Sequence, residues 1–518
     1  MNEQANSNTN FVSIVADLAR RRGYGQHIAF VEGDRSITYS ELLKRSAGVG
    51  AALRNLGITS GTRVTVLMPE GIDFVSIFLG ILHTGAVAMP VNAWLGEDAV
   101  SQAVTMADSD VTVVGGGTTT TVGQILRAED LLDRASETEA APTLVGPEDF
   151  AIGLFTSGTT GPAKVCYHTH GDILAISAGA GEAIGILPED VCMSASGLHF
   201  SYGLGNLVFF PLLRGATSAL TGLSRRMTAD EAFDKITAYN VTVFSAIPSY
   251  FLRLLNSPRS PELTTLRIAA TGGEVLGKTL EDRLRAAFGP HGLVNIFGST
   301  EIGHAVVVNR SADYVAGATG RVVDGYEVRV IDSDGRPCPQ GTVGALQAKG
   351  PSISVGVKRG NEDPRRVIHE WFSMGDAARI NADGTVSVLG RMEDIETIGG
   401  VPVYPAEVES EILAIDGVTE AAVFVASVDE APSLVALIVT SDPPTSADPG
   451  TLWEAIAQRM RGKRAPDVVH LVGELPHLSG GGKLARRTIR EEWRQLIRTS
   501  EAPESHRPEA VEAVVADG

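Results

Sequence analysis

The hydrophobic pattern of the N-terminal part alternates between short strand-like stretches and stretches with the 3.6-residue period of a helix. Residues 27–39, HIAFVEGDRSITY, predict a hairpin with Gly33 and Asp34 at its turn. Residues 38–57 follow with the 3.6-residue spacing of an amphipathic helix. RVTVLMP (63–69) and DVTVV (110–114) are short apolar runs of the kind that form buried strands. The chain therefore begins as a succession of strands and helices.

The same alternation continues further along. Residues 233–248 read as a helix that leads into a strand, and residues 266–274 as a strand that leads into a loop. Strands that alternate with helices favour parallel sheets covered by helices. The fold class predicted is therefore α/β, with a large N-terminal domain of helix-covered sheets.

The pattern changes near residue 391. Downstream, residues 418–428 and 433–440 predict strands, and residues 451–463 and 483–497 predict helices, enough for a compact α+β domain. We expect an N-terminal domain over 1–391 and a small C-terminal domain over 392–499. The tail, 500–518, is rich in Glu, Ala and Pro and is expected to be disordered.

Composition narrows the class of protein. The 518 residues are 43% hydrophobic and 20% charged, with a net charge of −19, which argues against a broad nucleic-acid or anionic-membrane surface. Residues 74–91 read as a buried helix running into a strand and not as a membrane span. The polar N-terminus lacks a signal-peptide core, and the three cysteines show no zinc or redox spacing, so we expect a cytoplasmic protein.

FTSGTTGPAK (155–164) is the first candidate for chemistry. It leaves the end of an apolar strand, where α/β sheets place their ligands. Its glycines let backbone N–H groups approach an anion, its hydroxyls add donors, and Lys164 adds a positive charge. It does not match the P-loop, because Lys164 follows Ala163 and precedes Val165. A plain surface turn is the alternative.

Four further stretches occur downstream in a fixed order: LHFSYGLGN (198–206), NIFGSTEIGH (295–304), WFSMGDAARINADGTVSVLGRMED (371–394) and GGGKLARR (480–487). Together with the glycine loop, they resemble the adenylate-forming superfamily of acyl-CoA ligases, adenylation domains and luciferases. The resemblance runs from about residue 28 to about residue 495, and YGLGN with FFPLLRGAT looks most like the benzoate–CoA ligase branch.

The resemblance implies a role for each matching residue. Lys483 matches the lysine that bridges carboxylate and phosphate. Lys164 and Thr300 are the other implied catalytic residues, and Glu301 matches the Mg²⁺ ligand. The implied ATP site consists of Thr156, Ser157, Gly158, Thr159, Thr160, Gly161, Gly272, Gly273, Glu274, Asn295, Phe297, Gly298, Asp376 and Arg391.

The acid pocket follows from the same matches: His199, Phe200, Ala246, Thr271, Ile296, Gly303 and His304. LHFSYGLGN lacks the aspartate that pairs with an amino-acid ammonium in relatives. An α-amino acid is therefore not the expected substrate, and a bulky aromatic or alicyclic acid is.

The family implies two half-reactions, with a mobile C-terminal domain that turns about a hinge matching Asp394. Gly399 and Gly400 match the loop that lines the thiol tunnel. Here the sequence departs from its relatives, because Glu396, Thr397 and Ile398 replace the usual basic residues before the glycine.

The expected reaction converts a carboxylic acid, ATP and CoA to acyl-CoA, AMP and pyrophosphate, with Mg²⁺ as the metal ion. The alternative is adenylation only, with the acyl-AMP handed to a carrier protein or a partner thiolation enzyme, which the altered 396–402 loop favours. A luciferase-like oxygenase and a silent acyl-nucleotide-binding protein are further alternatives. A homodimer is also left open.

Overall fold

The computed structural model describes most of the chain. The described residues are 8–135, 140–156, 164–223, 225, 227–289, 291–355, 365–366, 370–399, 401–428, 431–441, 449–461, 464–477 and 484–499. The predicted tail, 500–518, lies outside them.

The strands and helices are numbered along the chain. The strands are β1 (Ile28–Glu32), β2 (Arg35–Thr38), β3 (Arg63–Leu67), β4 (Val87–Pro90), β5 (Val111–Val114), β6 (Gln124–Arg127), β7 (Phe150–Thr156), β8 (Lys164–Thr169), β9 (Val191–Ser194), β10 (Thr217–Ala219), β11 (Val243–Ala246), β12 (Ile268–Gly272), β13 (Leu293–Phe297), β14 (Val307–Asn309), β15 (Arg321–Val322), β16 (Glu327–Ile331), β17 (Gly344–Lys349), β18 (Ser354–Val355), β19 (Arg365–Arg366), β20 (Phe372–Ile380), β21 (Val386–Arg391), β22 (Glu396–Ile398), β23 (Val401–Val403), β24 (Val418–Val428), β25 (Ala431–Thr440) and β26 (Val468–Leu471). The helices are α1 (Phe11–Arg22), α2 (Tyr39–Asn55), α3 (Ile72–His83), α4 (Glu97–Ala107), α5 (Ala128–Arg134), α6 (His170–Ile176), α7 (Glu182–Ile184), α8 (Ser201–Leu204), α9 (Phe210–Arg214), α10 (Ala229–Tyr239), α11 (Pro248–Asn256), α12 (Lys278–Phe288), α13 (Pro405–Leu413), α14 (Pro449–Arg459) and α15 (Arg486–Thr499).

The largest sheet has nine strands in the order β15-β14-β13-β12-β11-β9-β10-β1-β2. Its strands are parallel from β13 to β1, whereas β2 at one edge and β14 and β15 at the other are antiparallel. A second sheet of six strands, β6-β5-β3-β4-β7-β8, is parallel except for β8. The predicted helix-covered parallel sheets are confirmed.

Four smaller sheets are also present, two of which are the two-stranded pairs β18-β19 and β22-β23. Strands β16, β17, β20 and β21 form an antiparallel sheet that precedes residue 391. Strands β24, β25 and β26 form a three-stranded sheet packed against α13, α14 and α15. The α/β fold with a small α+β C-terminal domain is therefore confirmed, while the boundaries at 391 and 499 stay predictions.

Local sequence signals explain where several helices begin and end. Thr38 and Glu41 form the predicted capping box at the start of α2, since each side chain bonds the other's backbone N–H. Gly57 has φ +84° just beyond the end of this helix. Helix α3 is almost wholly buried, which explains its continuous apolar sequence. No helix in the described part of the chain combines the length and apolar character needed to span a membrane.

Candidate active site

Three neighbouring strands of the large sheet end side by side. Ala246 on β11 is paired with Thr271 on β12, and Thr271 with Asn295 on β13. The strands are parallel, so their carboxyl ends share the edge where α/β sheets bind ligands. This register brings together residues that were assigned separately to the nucleotide and to the acid.

The loop after β13 turns back tightly to β14. A Cβ on Gly298 would overlap the carbonyl of His304, so this close approach requires a glycine. Gly303 has φ +89°, and a Cβ there would overlap Ile176. The backbone therefore explains both glycines, while the assignment of Gly303 to the acid pocket stays a prediction.

The glycine loop joins two antiparallel strands. Thr156 is the last residue of β7 and is paired directly with Lys164, the first residue of β8. The predicted phosphate-binding residues between them, Ser157, Gly158, Thr159, Thr160 and Gly161, lie outside the described residues. Lys164 thus starts a strand and does not belong to the loop itself, because the strand pairing extends to this residue.

The charges of Lys164 and Glu301 both affect the buried thiol of Cys166. Burial raises the pKa of this thiol, the Glu301 carboxylate raises it further, and the Lys164 ammonium lowers it. Both charges therefore act on one buried atom of β8. Lys164 and Glu301 therefore lie within electrostatic range of the same buried thiol.

Asp376 and Arg391 face each other across β20 and β21. They are paired in the register, and Arg391 Nη1 donates to Asp376 Oδ2 at 3.2 Å and to the Met374 carbonyl at 3.0 Å. Asp376 is 6% exposed, so this contact differs from an ordinary surface ion pair.

One cleft of about 790 Å³ lies between candidate nucleotide residues of the N-terminal domain and residues of the C-terminal domain. From the predicted set it is lined by Gly273, Glu274, Asn295, Ile296, Phe297, Gly298, Asp376, Arg391 and Asp394. Leu484 and Arg486 line it from the C-terminal domain. Lys483 lies outside the described residues, although Leu484, which follows it, lines the cleft.

Three of the predicted acid-pocket residues, His199, Phe200 and His304, belong to two aromatic clusters. The His304 ring stacks on Tyr202 at 5.4 Å and meets Phe210 edge-on at 4.8 Å. Burial lowers the pKa of His304 to about 3, so its imidazole is neutral at pH 7. Tyr202 also donates to the Ala270 carbonyl, which places this cluster beside Thr271.

The second cluster surrounds His199. Its ring lies 4.1 Å from that of Phe200 and 5.5 Å from that of Trp94, and its Nδ1 is 3.6 Å from Glu70 Oε1. Glu70, 7% exposed, also accepts from the Leu198 N–H at 2.7 Å. Sequence reasoning missed Glu70, which lies 129 residues before His199 and in no recognisable motif.

The predicted hinge residue is held by two arginines of α15. Arg490 Nη2 lies 3.0 Å from Asp394 Oδ1, and Arg486 Nε lies 3.7 Å from Oδ2. Arg486 also donates to both oxygens of Glu409, which raises the pKa of its guanidinium. These partners were missed too; the only signal was the run of arginines in ARRTIREEWR.

The two glycines of the predicted thiol tunnel connect β22 to β23. Ile398 is paired with Val401, and Gly399 begins the short connection between the two strands. Gly399 has φ +60°, which such turns favour, and Gly400 lies outside the described residues. The turn accounts for Gly399 without a ligand, and its role in a tunnel stays a prediction.

Comparison with known proteins identifies the family. The model of the family described as AMP-binding enzyme matches residues 18–357. The chain is 32% identical over 501 residues to a 4-hydroxybenzoate–CoA/benzoate–CoA ligase of Rhodopseudomonas palustris, covering 90% of this chain and 91% of that protein. It is 30% identical to a p-hydroxybenzoic acid–AMP ligase of Mycobacterium tuberculosis, covering 94% of this chain and 69% of that protein.

Solved structures agree with the fold. A benzoate–CoA ligase from Burkholderia xenovorans superposes with a TM-score of 0.79 at 28% identity, covering 92% of this chain and 99% of that one. An anthranilate–CoA ligase in complex with anthranoyl-AMP gives a TM-score of 0.84 at 24% identity, covering 94% and 97%. The resemblance predicted from the motifs is confirmed, and the chain belongs to the AMP-binding enzyme family.

Proposed function

We propose that this chain activates an aromatic carboxylic acid with ATP and transfers the acyl group to CoA. The observation that supports it most is the cleft that joins Asn295, Asp376 and Arg391 to residues flanking Lys483. The aromatic acids named for the relatives from R. palustris and B. xenovorans support the substrate class. The buried, uncharged surroundings of His304 also suit an apolar ring.

In the first half-reaction, a carboxylate oxygen of the acid attacks the α-phosphorus of ATP. An acyl–O–P bond forms, the bond between the α- and β-phosphates breaks, and pyrophosphate leaves. Both reactants are anionic, so fixed positive charge stabilises the developing charge. We assign this role to Lys164 and Lys483, with Thr300 as a hydroxyl donor. The phosphate-loop residues named above would supply further donors.

Asp376 is the proposed acceptor for the ribose hydroxyls. A carboxylate can accept from both hydroxyls of a ribose, and the Arg391 contact holds this one in place. Glu274, Asn295 and Phe297 line the cleft at the ends of β12 and β13 and would surround the adenine.

Glu301 is the proposed Mg²⁺ ligand. Among the described residues, no group of three or more His, Cys, Asp or Glu side chains could hold a metal ion. Mg²⁺ in nucleotide sites is commonly held by one or two carboxylates together with phosphate oxygens. One carboxylate near the phosphate lysine therefore fits this ion, which when bound neutralises part of the phosphate charge.

In the second half-reaction, the CoA thiol attacks the acyl carbon. A carbon–sulfur bond forms, the acyl–oxygen bond breaks, and AMP leaves. We propose that the C-terminal domain turns about Asp394 between the half-reactions and brings Gly399 and Gly400 to the thiol.

Adenylation with hand-off to a carrier protein or partner enzyme is the second candidate. Glu396 supports it, because a carboxylate opposes the approach of anionic CoA. The p-hydroxybenzoic acid–AMP ligase relative supports it as well.

A paired assay distinguishes the two functions. Pyrophosphate and acyl-CoA are measured with and without CoA on benzoate, 4-hydroxybenzoate, anthranilate and, as an aliphatic control, octanoate. The ligase function predicts acid-dependent pyrophosphate release and acyl-CoA with an aromatic acid. Pyrophosphate without acyl-CoA, for the best acid, would select the hand-off function. No aromatic acid giving pyrophosphate would contradict both.

A further inference from the structure

Three consecutive carbonyls of the turn that carries Thr300 and Glu301 accept hydrogen bonds from residues outside the turn. His168 Nε2 donates to the Thr300 carbonyl at 2.7 Å, the Ser354 N–H to the Glu301 carbonyl at 2.8 Å, and Ser352 Oγ to the Ile302 carbonyl at 2.6 Å. Within the turn, the Gly303 N–H donates back to Ser299 and Thr300. Of these three donors, only His168 belongs to the hairpin of β7 and β8, which also carries Lys164.

Strand β8 connects the histidine to the phosphate lysine. Alternate residues of a strand point to the same face, so Lys164, Cys166 and His168 share one face of β8. The opposite face, with Val165 and Tyr167, packs into a separate apolar cluster. The hydrogen bond from His168 to the Thr300 carbonyl shows that this face of β8 is turned towards the turn.

The imidazole of His168 is held in one orientation. The side chain is fully buried, at 0% exposure, and a Cβ on Gly303 would lie 3.2 Å from His168 Cε1. Its other nitrogen, Nδ1, is 3.7 Å from the carboxylate of Asp172, which also accepts from the Thr169 N–H at 3.0 Å. Because a carbonyl can only accept, Nε2 carries the proton that reaches Thr300.

We propose that His168 is a positioning residue for adenylation. Its hydrogen bond to Thr300 fixes the turn against β8, and so fixes the separation between the Lys164 ammonium and the Glu301 carboxylate. The roles of these two charges rest on the proposed function, whereas the anchoring of the turn does not. His168 contacts neither charged group and acts through the backbone.

Two substitutions separate the hydrogen bond from the volume of the ring. His168→Gln places an amide N–H near the position of Nε2 and keeps the donor. His168→Met fills a similar volume without a donor. His170→Met is the matched control, since His170 is equally buried on the adjoining α6 and its Nδ1 accepts from the Phe11 N–H at 3.3 Å, away from the turn.

The first measurement is hydrogen–deuterium exchange of the free protein in peptides that span 299–304. We expect His168→Met to speed exchange there by about tenfold, the effect of one hydrogen bond. His168→Gln should stay close to wild type, and His170→Met should change exchange around Phe11 only. Equal exchange in wild type and His168→Met would overturn the proposal, as would equal acceleration by Met and Gln, since packing would then be the cause.

The second measurement is calorimetric ATP binding at a series of Mg²⁺ concentrations, together with acid-dependent pyrophosphate release. His168→Met should raise the Mg²⁺ concentration at half-maximal binding and activity about tenfold. The KM for the acid should stay unchanged. An active wild type with identical Mg²⁺ curves for all variants contradicts this inference alone. An inactive wild type with altered exchange in His168→Met contradicts the proposed function and leaves the anchoring of the turn supported.

Discussion

Asp376 is nearly buried at the cleft and already has one donor, the guanidinium of Arg391. A carboxylate that faces the cleft can accept from both hydroxyls of a ribose. We expect Asp376→Ala to raise the KM for ATP at least about tenfold, because hydrogen bonds to charged groups contribute more than neutral ones, and to leave the KM for the acid unchanged.

The matched control for this substitution is Asp383→Asn. Asp383 lies in the turn between the same two strands and accepts from the Thr385 N–H at 3.0 Å, but it does not line the cleft. Initial rates of pyrophosphate release over a range of ATP concentrations provide the measurement. A KM for ATP that changes equally in both variants would assign Asp376 to the stability of the sheet.

At the scale of single residues, the sequence identifies candidate binding and catalytic side chains better than it identifies the side chains that hold them in place. Motifs single out Asp376, Arg391 and Glu301 because their residue types and order are distinctive. His168 and Glu70 lie outside such motifs, and their partners are 132 and 129 residues away in the chain. Contacts of this kind depend on how elements pack, which local periodicity does not contain.

Among the elements, the most predictable were those with a strong local signal. Strands β3 and β5 follow from continuous apolar runs, and α2 from its capping box and terminal glycine. The four-stranded antiparallel sheet before residue 391 was not predicted. Strands β16 and β17 contain only one and two fully buried positions and lack a continuous apolar run, so their pattern resembles that of loops.

The short 3₁₀ turn over Met392–Asp394 gives the hinge prediction a structural context. Asp394→Pro fixes φ near −65° and restricts the preceding residue. If the domains turn here between half-reactions, this variant should keep acid-dependent pyrophosphate release and lose acyl-CoA formation. Both products are measured on the same acid.

Asp394→Pro also removes the ion pairs with α15, so a second variant is needed. Arg490→Met removes the 3.0 Å contact with Asp394 and the 3.4 Å hydrogen bond to the Glu393 carbonyl, and it leaves the sequence of the turn unchanged. It should retain both products. If Arg490→Met also loses acyl-CoA alone, the side-chain contact, and not the backbone at 394, controls the second step. Loss of both products in Asp394→Pro would contradict a hinge specific to the thiol step.

At the scale of the whole molecule, the two domains meet through polar contacts and through Leu413 of α13, which packs against an apolar cluster of the N-terminal domain. Arg253 on α11 pairs with Glu420 on β24 at 3.0 Å, and Thr279 on α12 donates to Glu411 on α13 at 3.2 Å. Relative motion is the general expectation for two domains of one chain unless their interface is large and hydrophobic. Because Leu484 lines the cleft with Asn295 and Asp376, we assign this arrangement to the adenylation step.

Gly277 tests that assignment, because a side chain at this position would collide with the C-terminal domain. It precedes α12 with φ −79° and ψ 154°, angles open to any residue, yet a Cβ would overlap Ser410 Oγ on α13. Gly277→Val should therefore oppose this domain arrangement without straining its own backbone. Gly96 is the matched control: it precedes α4 with φ −63° and ψ 160°, and a Cβ there would meet open space.

The expected result is that Gly277→Val slows the first half-reaction and leaves the second unchanged. Gly277→Val should slow pyrophosphate release by at least about tenfold, since overpacking at a tight contact costs 1–3 kcal/mol. It should leave acyl-CoA formation from added acyl-adenylate near the wild-type rate, because that step uses the other arrangement. Gly96→Val should change neither rate. If Gly277→Val instead slows thioester formation alone, the arrangement described here belongs to the second half-reaction, and the movement about Asp394 runs in the opposite direction.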